Sequence, residues 1–177
     1  MASLVDTNIL VYRYDPRFPA KQELAREVLR HGLMRRELIL PHQAVLEFVA
    51  ATTRPRSDLS GASLLAPEVA YREAEGLVRD FPVIYPDQDI LNMALRGVSI
   101  YGLSWFDAHL WAYAEVNGLP ELLSEDFEHG RHYGHVRVVD PFLVAANEIH
   151  ELPPMYDTAD PEQDRPPSNH DQNPSSR

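Results

Sequence analysis

Short apolar runs alternate with longer segments of helical periodicity along most of this chain. The apolar runs predict strands at residues 2–6, 38–40, 82–84, 122–123 and 136–139. The first run is too apolar for a strand with one face in solvent, so it is expected inside a sheet that is covered on both faces. Residues 54–61 read as an exposed loop.

Helical periodicity and capping residues predict six helices between these strands. Thr7 and Asn8 are good capping residues for a short helix at 9–12, and Gly32 is expected to close the next helix. The predicted helices cover about 9–12, 19–33, 41–53, 67–80, 87–101 and 104–117. The last is apolar nearly all round and is therefore expected to be buried.

Alternating strands and helices predict an α/β fold with a mainly parallel sheet and helices on both faces. We assign residues 1–150 to this domain. From Leu152 onward the composition changes to six prolines, many polar residues and almost no aliphatic ones. Residues 151–177 are therefore expected to form an acidic, Pro-rich disordered tail.

Composition excludes several classes of chemistry. The chain has no cysteine, which rules out disulfides, zinc–thiolate sites and thiol catalysis. No apolar run approaches the length of a membrane span, so we expect a cytoplasmic protein without a membrane partner. The formal net charge is −11, of which the tail from Glu151 contributes −4. That balance does not favour binding nucleic acid by charge alone.

Four acidic residues stand where acids should be scarce. Asp6, Glu47, Asp107 and Asp126 each interrupt or end an apolar run, and few Lys or Arg lie close to them in sequence. A carboxylate drawn towards a core is costly unless it is protonated, paired or bound to a cation. The economical explanation is that all four converge on one divalent cation.

Each acid also has an ordinary explanation. Asp6 could start the helix after its strand, Asp107 could form a capping box with Ser104, and Asp126 could be a turn residue. The combination argues for a site, because ligands of open parallel sheets bind beyond the carboxyl ends of the strands. Carboxylates without sulfur ligands favour Mg²⁺ or Mn²⁺, which can activate water and stabilise the charge that develops in phosphodiester cleavage.

The order and spacing of these motifs resemble those of a PIN domain over residues 2–142. The motifs are Asp6-Thr7-Asn8 after the first strand, the isolated Glu47, the Asp107 helix, and Ser124-Glu125-Asp126-Phe127. Within that family the sequence is most similar to VapC-type toxins of bacterial toxin–antitoxin pairs. The fold implied is a three-layer α/β/α domain with a short, mainly parallel central sheet.

The resemblance implies a metal-dependent endoribonuclease that leaves a 5′-phosphate and a 3′-hydroxyl. It implies Mg²⁺, with Mn²⁺ as a substitute, on Asp6, Glu47, Asp107 and Asp126. Thr7, Asn8 and Ser124 match the family's supporting polar positions; many relatives have Thr in place of Ser124. RNA as substrate, a cognate antitoxin and a homodimer are implied in the same way.

Basic and histidine-rich segments add weaker candidates. Arg54 and Arg56 follow the Glu47 helix closely and are the best-placed residues for RNA contact. His109 is expected to be a hydrogen-bonded, partly buried residue rather than a general base. The segment with His129, His132 and His135 is expected to be a surface loop, because its glycines break any helix that would align the three rings.

Three other functions compete with this interpretation. A stand-alone RNA-processing nuclease would carry the same site but would lack an antitoxin. A noncatalytic RNA- or protein-binding module is disfavoured because all four acids are present. A receiver-type phosphotransfer domain usually needs a second early aspartate or a late lysine; residue 8 is Asn and Lys21 is the only lysine.

Overall fold

The computed structural model describes residues 2–144, so the predicted tail at 151–177 lies outside the described residues. The elements, in chain order, are β1 (Ser3–Val5), α1 (Thr7–Tyr12), α2 (Pro19–Arg35), β2 (Leu38–Pro41), α3 (His42–Thr53), α4 (Pro67–Asp80), β3 (Val83–Ile84), α5 (Gln88–Tyr101), α6 (Trp105–Val116), β4 (Glu121–Leu123), β5 (His132–Tyr133) and β6 (Val136–Val139). Each predicted strand and helix within this range is present, with ends shifted by a few residues.

The strands form one sheet with the order β3-β2-β1-β4-β6-β5. Every neighbouring pair is parallel except β5 and β6, which form an antiparallel hairpin at one edge. One face of the sheet packs against α1–α4 around Leu40 and Phe48. The other packs against α5 and α6 around Leu4, Tyr113 and Leu122. The predicted three-layer α/β/α class with a mainly parallel sheet is confirmed.

Strand order reverses direction at β1, which pairs with β2 on one side and β4 on the other. Val5 lies opposite Leu123, so the carboxyl ends of β1 and β4 are adjacent. The backbone N–H of Asp6 continues this ladder by donating to the Leu123 carbonyl at 3.0 Å. Where the strand order reverses, the connections leave β1 and β4 in opposite directions and a crevice opens beyond the strand ends. Ligands of open α/β sheets bind in such a crevice.

Three local predictions were wrong. The cap of α1 is Asp6, and the helix begins at Thr7 rather than after Asn8. Gly32 does not end α2, which continues to Arg35. A Cβ at residue 32 would lie 2.1 Å from Leu38 Cγ, so the glycine is needed for the close packing of α2 on β2. The strand β5 was not predicted, because a two-residue strand followed by Gly134 carries no periodicity.

Within residues 2–144, no helix combines the length and the apolar character that crossing a bilayer requires.

Candidate active site

A cavity of about 440 Å³ opens at the carboxyl ends of β1 and β4. Its lining includes all four of the predicted acids, Asp6, Glu47, Asp107 and Asp126. They come from the end of β1, the middle of α3, the first turn of α6 and the loop after β4. Residues more than a hundred positions apart thus share one crevice at the point where strand order reverses.

Asp6 is the most buried of the four, with 6% of its surface exposed. Its Oδ1 accepts a hydrogen bond from the Thr7 N–H at 2.5 Å, and its Oδ2 accepts from Ser124 Oγ at 2.5 Å. The pKa of Asp6 is raised to about 7, chiefly by burial and also by the nearby charges of Asp126 and Glu47, which together outweigh the lowering effect of the two hydrogen bonds. The site therefore strongly disfavours a bare negative charge at this position.

The Asn8 side chain links the two strand ends. Its Nδ2 donates to Asp6 Oδ2 at 3.0 Å and to Asp126 Oδ2 at 3.2 Å, and lies 3.5 Å from Ser124 Oγ. These acceptors fix the orientation of the amide, because only the nitrogen can donate to carboxylates. The amide Oδ1 is then buried without a hydrogen-bond partner. A buried acceptor left in this way fits a cation or a water held in the crevice.

Glu47 is held by residues of two helices. Thr7 Oγ1 donates to its Oε2 at 2.7 Å, and Gln43 Nε2, one turn earlier on α3, donates to its Oε1 at 2.8 Å. Gln43 Oε1 in turn accepts from His109 Nδ1 at 3.0 Å, because an amide oxygen cannot donate and the ring nitrogen must therefore carry the proton. Sequence analysis missed Gln43, although its position four residues before Glu47 on the same helix face was a usable signal.

Asp107 serves its own helix in this structure. Ser104 is the N-cap of α6: its Oγ accepts from the Asp107 N–H at 3.2 Å and donates to Asp107 Oδ2 at 2.7 Å. The alternative of a helix-capping role for Asp107 is therefore realised in part. The residue also lines the cavity, so the capping contacts and the crevice share the same carboxylate.

None of the four carboxylates has an ion-pair partner among residues 2–144. As the side chains stand, no group of three or more His, Cys, Asp or Glu in that range is close enough to share one metal ion. Their oxygens are instead turned to Thr7, Asn8, Ser104 and Ser124. The donor set nevertheless fits a hard divalent cation, since it is all oxygen, unpaired and accompanied by the orphaned Asn8 oxygen.

Two arginines stand at the edge of the cavity. Arg56, a predicted RNA contact, lines it, whereas Arg54 does not. Arg17, which sequence analysis missed, also lines it; its guanidinium is anchored on buried Asp15, with Nε donating to Oδ1 at 2.7 Å, and it pairs with Asp58. The hydrogen bond from Arg17 holds the pKa of Asp15 below its usual value. Arg56 also donates a hydrogen bond to Asp58 at 3.1 Å. Asp58 therefore pairs with both arginines and lies between their guanidinium groups.

Aromatic side chains complete the rim. Tyr12, Phe18 and Phe106 line the cavity, and Phe106 is 64% exposed. Exposed aromatic rings beside arginines can stack on unpaired bases, which is how single-stranded RNA is commonly held. These rings were not among the predicted site residues, because an aromatic residue in an apolar segment is expected to lie in the hydrophobic core.

The predicted histidines are separate from the cavity lining. His109 is partly buried and bonded to Gln43, as expected, and burial lowers its pKa. His129 Nδ1 accepts from the Asp140 N–H at 3.0 Å, and His135 lies 3.1 Å from Glu115. His132 lies in β5. The expectation of a surface loop was therefore wrong at His132, and within the described residues the three histidines form no common metal site.

Comparison with known proteins identifies the fold. Residues 3–134 match the family model described as PIN domain. Among solved structures, a toxin–antitoxin complex from Klebsiella pneumoniae aligns with TM-score 0.54 and 21% identity, covering 79% of this chain and 98% of that one. DNA-bound VapBC from Salmonella typhimurium aligns with TM-score 0.59 and 16% identity, covering 80% and 98%. No curated protein gives a significant match. At these identities the structural likeness concerns the fold alone.

Proposed function

The chain belongs to the PIN-domain family, and on that premise we propose that it is a Mg²⁺- or Mn²⁺-dependent endoribonuclease, the toxin of a type II toxin–antitoxin pair. It hydrolyses RNA phosphodiester bonds in the cytoplasm. Asp6, Glu47, Asp107 and Asp126 are the proposed catalytic and metal-coordinating residues.

One observation carries this proposal. Four carboxylates without ion-pair partners in the described part of the chain line a single 440 Å³ cavity at the reversal of strand order. Repulsion between them, together with the burial of Asp6, makes a structural role unfavourable. A divalent cation removes that cost, and when bound it supplies Lewis-acid stabilisation of phosphoryl charge and lowers the pKa of a water molecule.

The surrounding residues position the carboxylates. Hydrogen bonds from Asn8 and Ser124 hold the Asp6 carboxylate in place beside that of Asp126. Hydrogen bonds from Thr7 and Gln43 hold both oxygens of Glu47. Holding these groups before RNA arrives lowers the cost of ordering them during the reaction.

The rim provides the RNA contacts in this proposal. Arg17 and Arg56 take backbone phosphates, and Phe106 stacks on a base. Arg54, outside the cavity lining, contributes less.

A cognate antitoxin is the proposed protein partner. The two similar structures are toxin–antitoxin assemblies, which supports a partner of this type. A basic segment of such a partner is attracted to a cavity lined by four acids. Co-purification of the chain with the product of a small neighbouring gene tests this role, and its absence favours a stand-alone RNA-processing nuclease.

A homodimer is proposed on the exposed face of α5. Leu91, Leu95 and Val98 are 44%, 53% and 38% exposed and lie at helical spacing on one stripe. An apolar stripe on a surface helix marks an interaction surface. Analytical ultracentrifugation should give a dimer for the native chain and a monomer for Leu95→Glu.

Cleavage of a mixed RNA pool tests the enzyme activity. The purified chain should cut with Mg²⁺ or Mn²⁺ and not with EDTA, and Asp6→Asn should be inactive. Asp89→Asn, an exposed acid in the first turn of α5, is the matched control and should keep full activity. Equal cutting by the native chain and Asp6→Asn would mean a contaminating nuclease, and no cutting with either metal would favour a binding role.

A further inference from the structure

A second cavity, of about 680 Å³, lies between α2 and α4, away from the carboxylates. Its floor is apolar, with Leu29, Leu77 and Phe81 buried beneath it. An adjoining cavity of about 490 Å³ shares Leu33 and Phe81 with it. Six arginines line the two cavities, which we call the arginine groove: Arg13, Arg26, Arg30, Arg36, Arg72 and Arg79.

Most of these arginines lack an acidic partner. Arg79 bonds Asp80 at 2.8 Å, and Arg26 lies 3.8 Å from Glu23. Within residues 2–144, Arg13, Arg30, Arg36 and Arg72 have no carboxylate at ion-pair distance. Glu73 and Asp80 also line the groove, but the six arginines outnumber them, so the groove carries an excess of positive charge on a protein whose net charge is −11. Such a patch attracts an anionic ligand, and its apolar floor favours one that also carries aliphatic or aromatic groups.

The chain itself contains a segment of that chemistry. Residues 148–164 include six acids and no Lys or Arg. Between the acids stand four apolar residues, Ile149, Leu152, Met155 and Tyr156. The acids of this segment complement the arginines of the groove, and its apolar residues complement the apolar floor.

The last described residues pack against α1 and the start of α2, the helix that carries two of the groove arginines. The Phe142 ring lies 5.2 Å from the Tyr12 ring and 5.2 Å from Lys21 Nζ, two residues before the last described residue. Lys21 is on α2, and Arg26 and Arg30 follow it along the same helix, about 8 and 14 Å further on. Ten residues of any chain can span at most about 33 Å, so the acidic segment is within covalent reach of the groove.

We propose that residues 148–164 of this chain dock in the arginine groove. Because the segment is tethered, its effective concentration is on the order of 1 mM, so an affinity of that weak order is enough for half occupancy. Surface ion pairs are individually weak, and several acting together are needed to reach it. The carboxylate cavity is not an alternative dock, since its four acids repel the segment. Docking withdraws the groove from other polyanions, RNA included. The inference does not depend on the proposed enzyme activity.

Paramagnetic labelling of the full chain tests this docking. The chain has no cysteine, so Thr158→Cys supplies a single thiol for a nitroxide label. In about 50 mM salt we expect a loss of amide signal of at least about twofold in α2 and α4 around Arg30 and Arg72, because weak docking exchanges rapidly and every molecule is broadened. The signal should return in about 0.5 M salt.

Two controls separate the possible outcomes. In the same labelled chain, neutralising Asp157, Asp160, Glu162 and Asp164 to Asn or Gln should restore the signal. Mixing labelled chain with unlabelled, ¹⁵N-enriched chain should give no loss, because docking within one chain is independent of the other. Loss in the mixed sample would assign the groove to the tail of a second copy. No loss, or a loss that salt and neutralisation leave unchanged, would overturn the proposal and leave the groove to RNA or to a protein partner.

Discussion

Ser124 Oγ donates a 2.5 Å hydrogen bond to Asp6 Oδ2 and joins two residues that are 118 positions apart in the chain. The contact exists because β1 and β4 pair in parallel with Val5 opposite Leu123, which brings the residue after each strand to the same edge. Ser124 is fully buried, and its hydroxyl also accepts from the Asp126 N–H at 3.1 Å. One hydroxyl thus sets the relative position of two of the proposed metal ligands.

Ser124→Ala should reduce RNA cleavage about 10–100-fold, the usual cost of losing a group that orients a metal ligand. It removes the donor to Asp6 and the acceptor of the Asp126 N–H. Ser124→Thr keeps the hydroxyl and should retain most activity. Turnover at increasing Mg²⁺ concentration measures the effect, and activity of Ser124→Ala equal to that of Ser124→Thr would contradict it.

Asp107→Asn should lower turnover by about 100-fold or more, because it removes a proposed ligand of the charge-stabilising cation. The amide oxygen can still accept from Ser104 Oγ, so α6 keeps its cap and the fold should be intact or slightly more stable in EDTA. Single-turnover cleavage and thermal unfolding check the two parts. Unchanged turnover would remove Asp107 from the site.

The stability of the metal-free protein should fall as pH rises through the range in which Asp6 titrates. Its pKa is about 7 in the folded chain, against 3.8 for an unperturbed aspartate. Between these values unfolding releases a proton, so the contribution of Asp6 to stability is greatest below 3.8 and is lost above about 7. The difference corresponds to at most about 4 kcal/mol.

Comparison with Asp6→Asn isolates that effect. Asn is an equally good helix cap and does not titrate, so the variant should gain about 2–3 kcal/mol on the native chain between pH 5 and pH 8. Urea unfolding in EDTA at the two pH values measures the gain. A difference that does not change with pH would show that Asp6 is already ionised at pH 5.

Arg56→Gln should weaken RNA binding several-fold and reduce the salt dependence of the affinity by about one counterion. Arg54→Gln is the matched control: Arg54 is exposed at the end of α3 and does not line the cavity. Dissociation constants measured in the Asp6→Asn background avoid cleavage during the titration. Equal effects of the two changes would place the RNA outside the cavity.

Gly32→Ala and Gly76→Ala should change stability in opposite directions. A Cβ at Gly32 would lie 2.1 Å from Leu38 Cγ, in a buried contact between α2 and β2, and overpacking of this kind costs about 1–3 kcal/mol. At Gly76 the nearest atom is Arg79 Nη2, 3.7 Å away, so alanine should stabilise α4 by up to about 1 kcal/mol. Urea unfolding of both variants measures whether the free energy of unfolding falls for Gly32→Ala and rises for Gly76→Ala.

Periodicity located the helices and most of the strands, because burial of one face imposes a repeat that is visible in the sequence. The same apolar background made Asp6, Glu47, Asp107 and Asp126 conspicuous, and the alternation of elements was enough to expect them at one sheet edge. These four side chains do line one cavity. The hairpin of β5 had no such repeat and was not predicted.

The sequence by itself determined the α/β class and the candidate ligands, since both follow from local pattern, and its motifs resembled those of the family that the match over residues 3–134 shows. Only the tertiary structure decided which polar groups contact them, namely Asn8 between Asp6 and Asp126 and Gln43 on Glu47. It also decided that Arg17 and Arg56, but not Arg54, line the same cavity. It also assembled the arginine groove from α2 and α4. Such contacts depend on side-chain direction and on packing between distant segments, which leave no periodic trace along the chain.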